Sequence, residues 1–198
     1  MTTSTNISSI LIITILILIN LISSYHFFRI DLTDERKYSI SEETKAVLRN
    51  LDDIIYFKVY LHGDIPVEYK KLEHETKYML NEFRAYSKYI EYDFIDPSSL
   101  ENENYKTSLQ EELYRKGISP IPHRNYQNTK MEEFFLFPGI LASYKSKEHT
   151  ISLINETLMH NADEVIKKSI EDLEYFLINS IRNLTTQKKQ TIALINGH

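Results

Sequence analysis

Two aspartates three positions apart, Asp93 and Asp96, close the stretch IEYDFID just before Pro97. Carboxylates at a strand end are what acid–base hydrolysis of a glycan or peptide requires, and strand ends of α/β folds carry catalytic residues. An aspartate ahead of a proline is also an ordinary turn former and cap, and that structural reading is the one adopted. Glu132-Glu133 before FFLF reads in the same way as a solubilising strand start. His123 with Arg124 could meet an anion, but the histidines as a set lack the spacings of metal ligands and read as solvated. Gly63, Gly117, Gly139 and Gly197 stand alone, so no phosphate-cradling loop is formed, and no G-x-S-x-G occurs. Cysteine is absent, which removes thiol nucleophiles, thiolate metal sites and disulfide exchange together. No catalytic residue, metal or cofactor is therefore expected.

What remains is aromatic. Among 14 tyrosines, Tyr56 and Tyr60 fall on one face of a strand, and Tyr86, Tyr89 and Tyr92 lie close together. Rings with polar tips make peptide- or glycan-binding faces. Core packing explains the same spacing; Tyr56 and Tyr60 are kept as a candidate binding face.

The elements that must position these residues follow from the pattern. The 198-residue chain is 26% charged and 42% hydrophobic, with a net charge of -5. No Lys, Arg, Asp or Glu occurs between Met1 and Phe28, so all that charge belongs to the later part. Its acidity, with no Lys/Arg stripe, argues against nucleic acid as a partner. Ile7 to Phe28 is an apolar run of about 22 residues, and about 20 at 1.5 Å rise cross a hydrocarbon core of about 30 Å. A cleaved signal peptide would have a shorter apolar region and end in small residues, whereas bulky Tyr25, Phe27 and Phe28 follow Ser23-Ser24 here. An uncleaved membrane anchor over 1–28 is expected. The positive-inside rule finds little to count in MTTSTN.

Residues 29–53 are expected to form a charged collar and a short helix, SEETKAVLRNL, capped by Ser41 or by a box of Ser39 with Glu42. IIYFKVYL (54–61) reads as a strand. A helix from Pro66 to about Ser87 carries Leu72, Met79, Leu80, Phe83 and Tyr86 at threes and fours, with Asp64 as its candidate cap. IEYDFID (90–96) is a strand, and 102–116 a helix closed by Gly117. ISPIPHRNYQNTK, with two prolines and no helical period, reads as a loop. EEFFLFPGILASYK gives two strands broken at Pro138-Gly139, or one with a bulge. KSKEH turns the chain into TISLIN, another strand. Asp163 to Leu184 is one helix with a stripe from Val165 through Ile166, Ile170, Leu173, Phe176, Leu177 and Ile181 to Leu184. TIALINGH, within 188–198, reads as the truncated start of a further domain.

A βαβ unit, a helix, a hairpin and a last helix make the expected fold class α/β: after the N-terminal transmembrane helix comes a thioredoxin-like mixed sheet with flanking helices over 54–187, lacking any Cys-x-x-Cys. Without that motif it is a scaffold and not a redox enzyme.

Short motifs spread along the chain carry a resemblance. Arg29-x-Asp31-Leu32-Thr33, Lys37-Tyr38-Ser39-x-Ser41, Asn50-Leu51-Asp52, Glu82-Phe83-Arg84-Ala85-Tyr86 and Phe94-Ile95-Asp96-Pro97, with FPGILASYKSKEHTISLIN and TIALINGH, resemble the N-terminal region of the GldG family. That family is the auxiliary, so-called substrate-binding component of the gliding-motility ABC transporter of Bacteroidetes. The resemblance implies a longer protein in the inner (cytoplasmic) membrane, its soluble part in the periplasm. It also implies an ABC ATPase and a multi-spanning permease as partners. It supplies no catalytic residue. The membrane-exit collar, Arg29, Asp31, Thr33, Lys37 and Tyr38, either transmits position between permease and domain or is a solvated spacer. A membrane-anchored hydrolase using Asp93 and Asp96, or a stand-alone binding receptor, is the alternative.

Overall fold

The computed structural model describes residues 11–18, 20, 40–99, 102–127, 130–154 and 162–186. The chain divides into two units, 1–39 and 40–198. In the first, residues 11–18 and 20 are helical with exposed side chains. Among the described residues no helix is long and apolar enough to cross a membrane. The rest of the expected anchor lies outside the described residues. So do Arg29, Asp31, Thr33, Lys37 and Tyr38 of the collar, and TIALINGH at the other end.

The second unit is built on a four-stranded mixed sheet. Its strands are β1 (Ile55–Val59), β2 (Ile90–Phe94), β5 (Gly139–Tyr144) and β6 (Lys147–Ser152), in the order β2-β1-β5-β6. β1 and β2 run parallel, joined through α2 (Val67–Tyr86), while β5 is antiparallel to both β1 and β6. Alternation along β1 sends Ile55, Phe57 and Val59 to one face, where they are fully buried with Leu72, Leu80 and Phe83 of α2. The same core takes Val165 and Ile166 of α4 (Ala162–Glu171), and Leu173, Leu177, Ile181 and Leu184 of α5 (Leu173–Thr185). Each such side chain, fully buried, contributes about 1.5–3 kcal/mol. The opposite face is covered in part: Tyr60 and Leu141 pack with Leu113 of α3 (Glu103–Arg115), Ile118 and Phe137.

α1 (Glu42–Arg49) begins at Ser41, whose hydroxyl oxygen accepts the Thr44 N–H at 3.2 Å. Of the two expected caps this one forms. It is tied to α5 as well, because Glu174 Oε1 accepts the Ser41 N–H at 2.9 Å and the Thr44 hydroxyl at 2.6 Å. α2 starts at Pro66 with no side-chain cap bond, so Asp64 is not its cap.

Three expectations are corrected. The supposed loop around Pro120 and Pro122 contains β3 (Ile121–Gln127), which pairs antiparallel with β4 (Lys130–Leu136) as a separate two-stranded sheet. A proline is tolerated there because each strand of a ribbon needs only one hydrogen-bonding edge. The hairpin before the last helices turns on Lys145 and Ser146 alone, with Lys145 at φ 54, so β6 already starts at Lys147. The long C-terminal helix is two, parted at Asp172 (φ -91, ψ -1). A short polar side chain tolerates that flattened geometry. The Asp172 N–H still donates to Lys168 C=O, and Phe176 N–H to Asp172 C=O, both at 3.0 Å. The apolar stripe therefore survives the break, with Ile170 and Phe176 only partly buried.

Candidate functional site

The parallel strands β1 and β2 end side by side, and the two chain segments leaving them open a cleft of about 310 Å³. Crevices beyond the carboxyl ends of parallel strands are where α/β sheets bind ligands. From β1 come Tyr60 to His62, Asp64 and Ile65; from beyond β2 come Asp96 to Ser98; the third wall is Phe134 to Phe137, the end of β4 and its link to β5.

Gly63 lets the first two walls meet. Its φ of +103 is open to glycine and strained for other residues. A Cβ there would lie 2.2 Å from Asp96 Oδ2. Asp96 is itself held in a turn, with Oδ1 accepting the Ser98 N–H at 2.7 Å and its carbonyl accepting the Ser99 hydroxyl at 3.0 Å. His62 is oriented from two sides, by a 2.5 Å contact between Nδ1 and Glu73 Oε1 of α2 and by the Phe94 ring, edge-on at 5.8 Å. Among the described residues, the lining holds two aspartates, Asp64 and Asp96, and no lysine or arginine. It therefore favours a cation or a hydrogen-bond donor beside aromatic surface. Among the described residues, no three or more His, Asp or Glu converge as metal ligands would.

The residues singled out by spacing are distributed differently. Asp93 does not line the cleft; it points from the other face of the sheet and accepts the Tyr56 hydroxyl. That bond raises the Tyr56 pKa, with burial adding to it. The expected carboxylate pair is thus divided between two places. Tyr56 and Tyr60 do share a face, but Tyr60 is 5% exposed and belongs to the second core, so the pair makes no continuous exposed surface. Burial first, then the charge of Glu112, pushes the Tyr60 phenol up. Tyr86, Tyr89 and Tyr92 pack against the main core. Tyr92 lies under the Arg84 guanidinium, 4.3 Å from its ring centre, and donates to Asn81 Oδ1 at 2.7 Å. His123 stacks obliquely on Phe134, 5.2 Å between ring centres. The side chains of Arg124, Glu132 and Glu133 lie outside the described residues.

Of the cleft residues, spacing singles out Asp96 and Tyr60; His62 and the Phe134–Phe137 wall are not singled out, and Asp64 is read only as a helix cap. The available signal was that Asp64 and Asp96 each follow one of two consecutive predicted strands joined by a crossover helix.

Residues 34–143, over half of the chain, match the family described as a domain of unknown function, DUF7088, and every cleft residue lies within that stretch. No curated protein and no solved structure matches the chain.

Proposed function

The chain belongs to the DUF7088 family, and we propose that it serves as a non-catalytic, membrane-anchored auxiliary subunit of a GldG-type ABC transporter linked to gliding motility. The observation that carries this reading is the change at Arg29: an uncharged apolar run from Ile7 to Phe28 hands over within one residue to a charged segment resembling that family's exit from the membrane. The domain matched from residue 34 onward follows directly. On this reading the anchor lies in the cytoplasmic membrane, the soluble part in the periplasm, and the partners are an ABC ATPase and a multi-spanning permease. The finer fold assignment, thioredoxin-like, is supported by the sheet order β2-β1-β5-β6 with β5 antiparallel to its neighbours, and by the β1-α2-β2 crossover. With no cysteine in the chain, such a domain acts as a scaffold.

The anchored-hydrolase alternative assigned its two carboxylates to Asp93 and Asp96, and that pair does not share one cleft. The test is detergent extraction of native membranes through an affinity tag on this chain, followed by mass spectrometry of what comes with it. Co-recovery of an ABC ATPase and a permease is expected. Recovery of the tagged chain without them overturns the proposal.

A further inference from the structure

We propose that the cleft takes an extended peptide carrying a lysine or arginine, which adds as a strand to the free edge of β4 and sets its cationic group against Asp64 and Asp96. The inference concerns the cleft alone and does not rest on the transporter reading. Its first support is the shape of the third wall. Neighbouring residues of a strand point to opposite faces, so a cavity lined by the consecutive residues Phe134, Phe135 and Leu136 runs along the strand's edge.

The second support is the register of the ribbon. Pro122 stands opposite Phe135, flanked by the pairs Ile121↔Leu136 and His123↔Phe134. In an antiparallel ladder, opposed residues either exchange hydrogen bonds or both turn their N–H and C=O outward. Proline has no N–H to exchange and takes the outward kind of position. The N–H and C=O of Phe135 therefore point away from β3, and β3 is the only strand that β4 pairs with among the described residues. An open strand edge of this kind recognises an extended peptide through its main chain. Phe135 is also 45% exposed, an aromatic surface beside that edge.

Charge selects the side chain. Among the described residues, the lining carries Asp64 and Asp96 with no lysine or arginine. Its histidine is engaged by Glu73, which adds a further carboxylate close behind the wall. An acidic peptide is repelled, and a neutral one leaves two carboxylates uncompensated.

The experiment uses the full 198-residue chain, immobilised, and a degenerate pool of N-acetylated, C-amidated hexapeptides; retained peptides are sequenced by mass spectrometry. A pool enriched in Lys or Arg at one position is expected. The best retained peptide is then measured against Asp64→Asn with Asp96→Asn, and separately against Phe135→Pro. Asn at 96 keeps an oxygen for the Ser98 N–H, and Pro at 135 removes an outward-pointing donor together with the exposed ring, so the peptide's own N-methylation is the test of the main-chain bonds alone. The paired aspartate change should weaken binding about tenfold or more, the worth of one charge-assisted hydrogen bond, and Phe135→Pro about threefold to tenfold, the worth of a neutral one. Methylating alternate amides of the peptide should do the same without touching the protein. No retention, retention without a basic preference, or affinity unmoved by both Phe135→Pro and peptide N-methylation overturns the proposal. So does a photo-crosslinking side chain at position 135 that captures residues 155–161 or 187–198 of the same chain, which would make the edge's partner internal.

Discussion

Replacing Gly63 by alanine tests whether the two walls of the cleft meet as described. Two costs arise. At φ +103 a Cβ is strained, a penalty of about 1–2 kcal/mol for an L residue forced to positive φ. The new methyl would also sit 2.2 Å from Asp96 Oδ2 and 2.5 Å from its Cγ. The carboxylate must swing away and give up the 2.7 Å bond from the Ser98 N–H, about another 1 kcal/mol. The sum is about 2–3 kcal/mol, a fall of about 1–1.5 M in the urea midpoint at an m-value of about 2 kcal/mol/M. Gly117 supplies the control within the same chain: its φ is +89, yet nothing lies within 4 Å of a Cβ built there. Gly117→Ala should therefore cost only the backbone part. Tyrosine fluorescence can follow both transitions, because the chain has 14 tyrosines and no tryptophan. If Gly63→Ala proves no more destabilising than Gly117→Ala, Asp96 does not abut Gly63 and the cleft's geometry is wrong.

Two further outcomes follow from single contacts. Glu174→Ala leaves the Thr44 hydroxyl, 2% exposed, without its 2.6 Å acceptor and frees the start of α1; a loss of about 1.5–3 kcal/mol is expected, together with faster amide exchange across Glu42–Arg49, and unchanged exchange there would refute the tie between α1 and α5. Tyr60 is held protonated by burial and by Glu112, so its folded pKa lies above the ordinary 10.0. A raised pKa contributes stability that is complete below pH 10 and is lost as pH rises beyond it; Tyr60→Phe should flatten the alkaline fall in unfolding free energy, and a profile identical to the parent's would refute it.

The elements legible in the sequence are those in which a single signal decides. β1 shows alternation and β-branching together; α2 repeats its apolar residues at threes and fours; Ser41 stands where a cap must. The β3–β4 ribbon was hidden because its proline content speaks for a loop, and only the partner strand reveals that Pro122 occupies a position needing no donor. The break at Asp172 was hidden for the opposite reason. The apolar stripe passes through it without a phase error large enough to see, and the hydrogen bonds on either side persist. As for the site, Asp96 was visible as a residue but its meaning depended on Gly63, Asp64 and Phe134–Phe137, distant in sequence and joined only by the strand order.

The smaller core explains why that third wall stands where it does. The ribbon is inserted between α3 and β5, and both its stems are fixed by the same few side chains: Ile118 at its start and Phe137 at its end pack with Tyr60, Leu113 and Leu141. The stems touch closely, since a Cβ on Gly139 would come 2.7 Å from Ile118. Two backbone bonds lock the arrangement to the sheet and helix, Tyr60 N–H to Gly139 C=O and Ile118 N–H to Leu113 C=O, both at 2.9 Å. α3 is thus more than a cover for one corner of the sheet. Through Leu113, 1% exposed, it packs with the Phe137 end of the wall, while Leu136 and Phe134 pack with the main core, so the wall facing Asp96 is held between the two cores.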